Sequence, residues 1–127
     1  MQSNNIYKND SENQIIQKRS LEELNMWISQ VNYILEESNT LAKIASDKLK
    51  NKDLRDQFLM IIEKNAGILS AFLTYKNTTD NFMECIDLDC DLFYYNEHEK
   101  IRNLYTEYLN NYRSVKKKFF KSLLIHN

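Results

Sequence analysis

The sequence predicts an all-α protein, an up-down-up antiparallel bundle of three long helices, and two observations carry that reading. The first is the near absence of helix breakers: none of the 127 residues is proline, and only Gly67 is glycine. Proline and glycine punctuate short elements, so their absence removes most of the stops. The second is a sustained heptad pattern, in which apolar residues recur at alternating spacings of three and four along three long runs. A period of about 3.5 residues implies left-handed, coiled-coil-like supercoiling, with helices crossing near ~20°.

Composition sets the bounds. One domain is the natural expectation at this length, and a core of useful size fits without staples. Hydrophobic residues make up 43% and charged residues 28% of the chain, the balance of a globular protein rather than a disordered one. A net charge of −1 supplies no global field to recruit nucleic acid or an acidic membrane. The N-terminal stretch lacks the apolar core of a signal peptide, and no window is read as a membrane span. A cytoplasmic protein without membrane insertion is the expectation. Cys85 and Cys90, five apart, fit neither a CxxC redox pair nor a zinc half-site. In a continuous helix they would point apart, so free thiols in a reducing compartment are expected.

Residues 1–18 are rich in Asn, Gln and Ser and read as a polar, flexible N-terminal tail, leaving 19–127 as the single helical domain. Ser20-Leu21-Glu22-Glu23 forms a capping box with Ser20 at the N-cap. The first seam then runs Leu21, Leu24, Ile28, Val31, Leu35, Ser38, Ala42, Ala45, Leu49, widened by Trp27, Ile34 and Leu41. Lys50-Asn51-Lys52 ends it, with Asn51 suited to the left-handed conformation.

Asp53 is the expected N-cap of the second run, whose seam is Leu54, Phe58, Ile61, Asn65, Ile68, Phe72, Tyr75, Thr79, Phe82, Ile86. The short connection before it forces the first two helices antiparallel. Residues 77–80 have the poorest helix propensity, and a break there would give four helices; the heptad stays in phase, which favours one continuous helix. Residues 87–96 read as the second connection, because Asp87, Asp89 and Asp91 compete with the backbone for hydrogen bonds. Asn96 then caps a third run with the seam His98, Ile101, Tyr105, Tyr108, Tyr112, Val115, Phe119. Lys116, Lys117, Lys118 and Lys121 suit the negative end of its dipole. Ser38 and Asn65, polar in apolar seams, either fix register or mark positions facing solvent.

Glu97-His98-Glu99-Lys100-Ile101-Arg102, the run from Tyr105 to Leu124, and Lys117-Lys118-Phe119-Phe120-Lys121-Ser122-Leu123 carry a resemblance. Together with Trp27 early in the first long helix and Gln57-Phe58 opening the second, they resemble a family of short all-helical bacterial proteins over about residues 20–125. The resemblance implies the fold and no activity. Family members often carry a histidine within the second helix, and this chain has none there, which weakens any proposal of a paired-histidine site.

No motif calls for catalysis, and the protein is read as a non-enzyme with no cofactor and no small-molecule substrate. Asp87-x-Asp89-x-Asp91 imitates the start of a calcium loop, but Leu92 stands where glycine is needed and His98 where the bidentate glutamate is needed. A metal site built from Asp87, Asp91 and His98 within the acidic segment 84–99 is the alternative reading. A di-metal carboxylate site fails because neither histidine has a glutamate three residues before it. Arg113, Lys116, Lys117 and Lys121 form a small basic face, read as a solvated complement to the dipole rather than a nucleic-acid surface. The apolar stripes are wide for a thin core, and tyrosine is enriched where one end stays wet. The function read from these features is protein–protein contact, as an adaptor or small structural component. A protein partner or a homodimer would meet Tyr108, Tyr112, Phe120 and Leu124.

Overall fold

Three helices account for nearly all of the residues that the computed structural model describes, 12–82 and 87–126, the side chains of residues 13 and 79–82 excepted. They are α1 (Glu12–Asp47), α2 (Lys52–Phe82) and α3 (Leu88–Ile125), and no strand occurs among the described residues. All three pack against one another. The all-α, three-helix expectation therefore holds, and α2 runs unbroken through residues 77–80. Thr78 is accommodated there because its hydroxyl donates to the Tyr75 carbonyl at 2.7 Å.

The core follows the predicted seams. Leu24, Val31, Ala45 and Leu49 of α1 are buried, as are Phe58, Ile61 and Phe72 of α2 and Ile101, Val115 and Phe119 of α3. Trp27, Ile34 and Leu41 are buried beside the first seam, which confirms that α1 is covered on more than one flank. Phe58 meets Phe119 edge-on at 5.9 Å, and Trp27 meets Phe72 at 6.3 Å.

The helix ends differ from expectation. Residues 1–11 lie outside the described residues, but 12–18 are the first turns of α1 rather than tail, so Ser20 is inside the helix and caps nothing. Nothing in 12–19 breaks a helix, and half-buried Ile15 and Leu21 carry the apolar stripe upstream. At the first reversal, Lys50 takes the left-handed conformation (φ 54°), and the Asn51 N–H reaches back to the Ala45 carbonyl at 2.8 Å. A left-handed residue followed by an N–H that reaches back to a carbonyl of the last turns closes the helix C-terminus. Asn51 then caps α2, its Oδ1 accepting from Leu54 N at 3.1 Å, in place of Asp53.

The third helix starts about one heptad before Asn96. Asp87 is its N-cap, extended at φ −136° and ψ 167°, and accepts from Cys90 N at 2.8 Å. Asp89 and Asp91 then fall in the first turn, where the positive end of the dipole favours carboxylates. The aspartates read as breakers thus act as starters. Cys90 is disulfide-bonded, which corrects the expectation of a free thiol there. That expectation assumed one helix through both cysteines, whereas the extended Asp87 interrupts it; Cys85 lies outside the described residues. By length and composition alone, Lys52–Thr78 of α2 is apolar enough to cross a membrane, contrary to the sequence reading. The same stretch supplies Leu54, Phe58, Ile61 and Phe72 to the core.

Candidate functional site

The residues with the most chemistry gather where early α1, late α2 and early α3 meet. His98 sits at a seam position of α3 and is buried. Its ring stacks on Trp27 at 5.1 Å, and Trp27 stacks in turn on Tyr105 at 5.4 Å. Both ring nitrogens are engaged: Nδ1 lies 2.7 Å from the Tyr75 hydroxyl, and Nε2 lies 2.6 Å from Glu23 Oε1. A carboxylate only accepts, so Nε2 carries a proton and, in the neutral ring, Nδ1 accepts from the Tyr75 O–H. Arg102, one helical turn beyond His98, donates to the same Glu23 oxygen at 2.5 Å and also to Glu99. Its guanidinium lies 5.8 Å from the Trp27 ring centre.

The electrostatics follow from these contacts. Burial pushes Glu23 upward, but the hydrogen bonds from His98 and Arg102 and the arginine charge outweigh it, and Glu23 is held below the usual glutamate range. Burial, with help from Glu97, pushes Tyr75 up to about 12. Tyr75 therefore keeps its proton and is not an activated nucleophile. The ordered run Tyr75–His98–Glu23–Arg102 joins all three helices and orients its members tightly.

Beside it opens a cavity of about 530 Å³. Ile16, Gln17 and Ser20 of α1 line one side, Tyr75 of α2 another, and residues between Asp91 and Arg102 of α3 the rest. Gln17 Oε1 is buried and finds no hydrogen-bond partner among the described residues.

A second polar cluster lies further along the molecule. Tyr112 donates to Glu37, and Lys116 pairs with the same carboxylate at 2.5 Å. Burial raises Glu37, and the bonds from Lys116, Tyr112 and Tyr33 more than reverse it, leaving its carboxyl below the usual range.

Of the expected contact residues, Tyr108 and Tyr112 are only 4% exposed and belong to the core, which corrects their assignment to an interface. Their hydroxyls find partners inside the molecule, so neither needs a wet end. Tyr108 donates to the Ile61 carbonyl at 3.3 Å, and Tyr112 uses Glu37. Phe120 and Leu124 are exposed. Asp87, Asp91 and His98 do not form a metal-ligand group: Asp87 caps α3, both nitrogens of His98 are taken, and no cluster of three His, Cys, Asp or Glu suited to a metal exists among the described residues. Lys116 of the basic face is turned to Glu37.

The sequence analysis sets His98 on the third seam but misses Glu23, Tyr75, Gln17 and Arg102 as its surroundings. The available signal was that His98 and Tyr75 both occupy seam positions, where a polar atom must find a partner. No family model, curated protein or solved structure matches the chain.

Proposed function

We propose that this protein is a non-enzymatic helical bundle acting through protein–protein contacts, with the last turns of α3 as its contact surface. The observation that carries the reading is an apolar cluster on an ordered helix end: Phe120, Leu123, Leu124 and Ile125 are all exposed, the last two at 84% and 82%. Single exposed apolar side chains are ordinary, whereas a contiguous group favours a partner. Lys116 lies 5.9 Å from the Phe120 ring and supplies a charged rim. The partner is a protein or a second copy of the chain.

The finer architecture proposed with it is the up-down-up antiparallel, left-handed bundle. Lys76 of α2 bonds Asn25 of α1 at 3.0 Å, while Asn65 reaches Val31 at 2.9 Å, so partners descend along one helix as they ascend along the other. Tyr75 with His98 and Phe58 with Phe119 repeat that relation between α2 and α3. The 3–4 spacing of the seams supports the handedness.

The test is the paired substitution Leu124→Glu with Ile125→Glu. Both side chains are solvent-facing, so helicity should persist while self-association in sedimentation, or recovery of a protein captured from the native cells, falls. Unchanged mass and unchanged capture would defeat the proposal.

A further inference from the structure

We infer that the cavity between the three helices beside His98 is a binding site for a small amphipathic amine, an organic cation with an apolar body. Its volume of about 530 Å³ falls in the range of sites for small organic molecules, which run from roughly 300 to 1,000 Å³. The walls supply the apolar part of the match through Ile16, Leu92 and the rings of Tyr94 and Tyr95. Leu92 and Tyr95 are exposed, which leaves a way in. Tyrosine faces at a cavity mouth also attract an organic cation through the ring quadrupole.

The sign of the ligand follows from which polar capacity remains unused. With the His98 ring neutral, Tyr75 gives its O–H to His98 and has only oxygen lone pairs to offer. Asp91 and Glu99 add carboxylates to the wall. Arg102 is the only Lys or Arg among the described residues of the lining, and it is held by Glu23 and Glu99 together. An anionic ligand would have to break that double pairing and approach two carboxylates. A protonated amine meets the carboxylates of Asp91 and Glu99 already in place on the wall.

The experiment uses 4-phenylbutylamine and 4-phenylbutyrate, which share an apolar body and differ in the sign of the head group. Binding to the full chain is followed by calorimetry and by chemical-shift changes at Tyr75, Asp91 and Gln17. The amine should bind at one site with a dissociation constant of about 1 mM or tighter, with shifts confined to the cavity, and the butyrate should not saturate. Asp91→Asn should weaken amine binding about tenfold, as expected for loss of a charge-assisted bond. Tyr95→Ala, at an exposed position of the cavity mouth, should weaken it as well while leaving the helical circular dichroism intact, and it decides the matter if the Asp91 variant folds poorly. Equal or tighter binding of the butyrate would overturn the inference. So would no saturable amine binding by about 10 mM, or amine binding indifferent to both substitutions.

Discussion

Asn65 and Tyr108 meet in the core: Asn65 Nδ2 donates to Tyr108 Oη at 2.8 Å, and Tyr108 in turn donates to the Ile61 carbonyl at 3.3 Å. The same Asn65 nitrogen donates to the Val31 carbonyl at 2.9 Å. One amide on α2 therefore binds α1 and α3 at once, and only one relative placement of the three helices satisfies it. This gives a physical reason for a polar residue in an apolar seam. An apolar seam tolerates sliding by a heptad, and a directed pair of hydrogen bonds does not. Burial, eased by the Asn65 contact, raises the Tyr108 hydroxyl above the usual tyrosine range, so it stays protonated as a donor.

Tyr108→Phe should cost about 1–2 kcal/mol, and Asn65→Ala about 2–4 kcal/mol because it adds a void to the lost bonds. The double variant should fall short of the sum, since both changes remove one shared bond. Urea denaturation of the four proteins measures this. Strict additivity would show that the two residues do not act together.

Acid stability should depend on Glu23. Its carboxyl is held below the ordinary glutamate range by His98 and Arg102 against the opposing effect of burial. The unfolded chain regains the ordinary value, about 4.3. Between the lowered value and the ordinary one, the unfolded chain binds more protons than the folded one, so stability rises with pH there. The contribution is complete above the ordinary pKa and disappears as pH falls through the lowered one. Glu23→Gln should flatten the fall in urea midpoint between neutral pH and about pH 3. A parallel fall in variant and parent would place the acid sensitivity elsewhere, with Glu37 the next residue to test, since its carboxyl is also held low.

The core was legible in the sequence because spacing alone decides which face of a long helix is covered. Leu24, Phe58, Phe72, Ile101 and Phe119 were all placed by counting threes and fours, and all are buried. The helix ends were not legible, because several residues competed for each cap. Asn51 and Asp87 hold the caps that Asp53 and Asn96 were expected to hold. The partners of polar seam residues were also out of reach, since they depend on how three helices are set against one another. Tyr112 reads as an interface residue from the sequence, whereas Glu37, 75 positions away on α1, accepts its hydroxyl inside the molecule. Gln17 lay in a stretch read as tail, so the cavity it lines had no sequence signal.

Ser38 should be replaceable at a gain. Its side chain is fully buried, and its hydroxyl finds no hydrogen-bond partner among the described residues. Unlike Asn65, it ties nothing to anything. Ser38→Ala removes the unpaired hydroxyl, loses little volume, and substitutes a better helix former. Stability should rise by roughly 0.5–1.5 kcal/mol. Thermal unfolding reads this directly. A lowered midpoint would mean that the hydroxyl has a partner in solution, such as a buried water.

Gly67 offers the clearest separation of backbone from packing effects. It lies inside α2 with negative φ, and a Cβ built on it meets nothing within 4 Å. No close approach of another helix requires a glycine there, and no left-handed turn does either. Its effect on stability is therefore mainly the entropy that a glycine loses when a helix forms. Gly67→Ala should stabilise the protein by about 0.5–1 kcal/mol. The gain should appear as a higher urea midpoint with an unchanged slope, because neither the folded contacts nor the exposed area changes. A loss of stability would show that the outer face of α2 is covered in solution by a neighbour close enough to clash with one methyl group. That result would move the protein–protein contact from the end of α3 to the middle of α2.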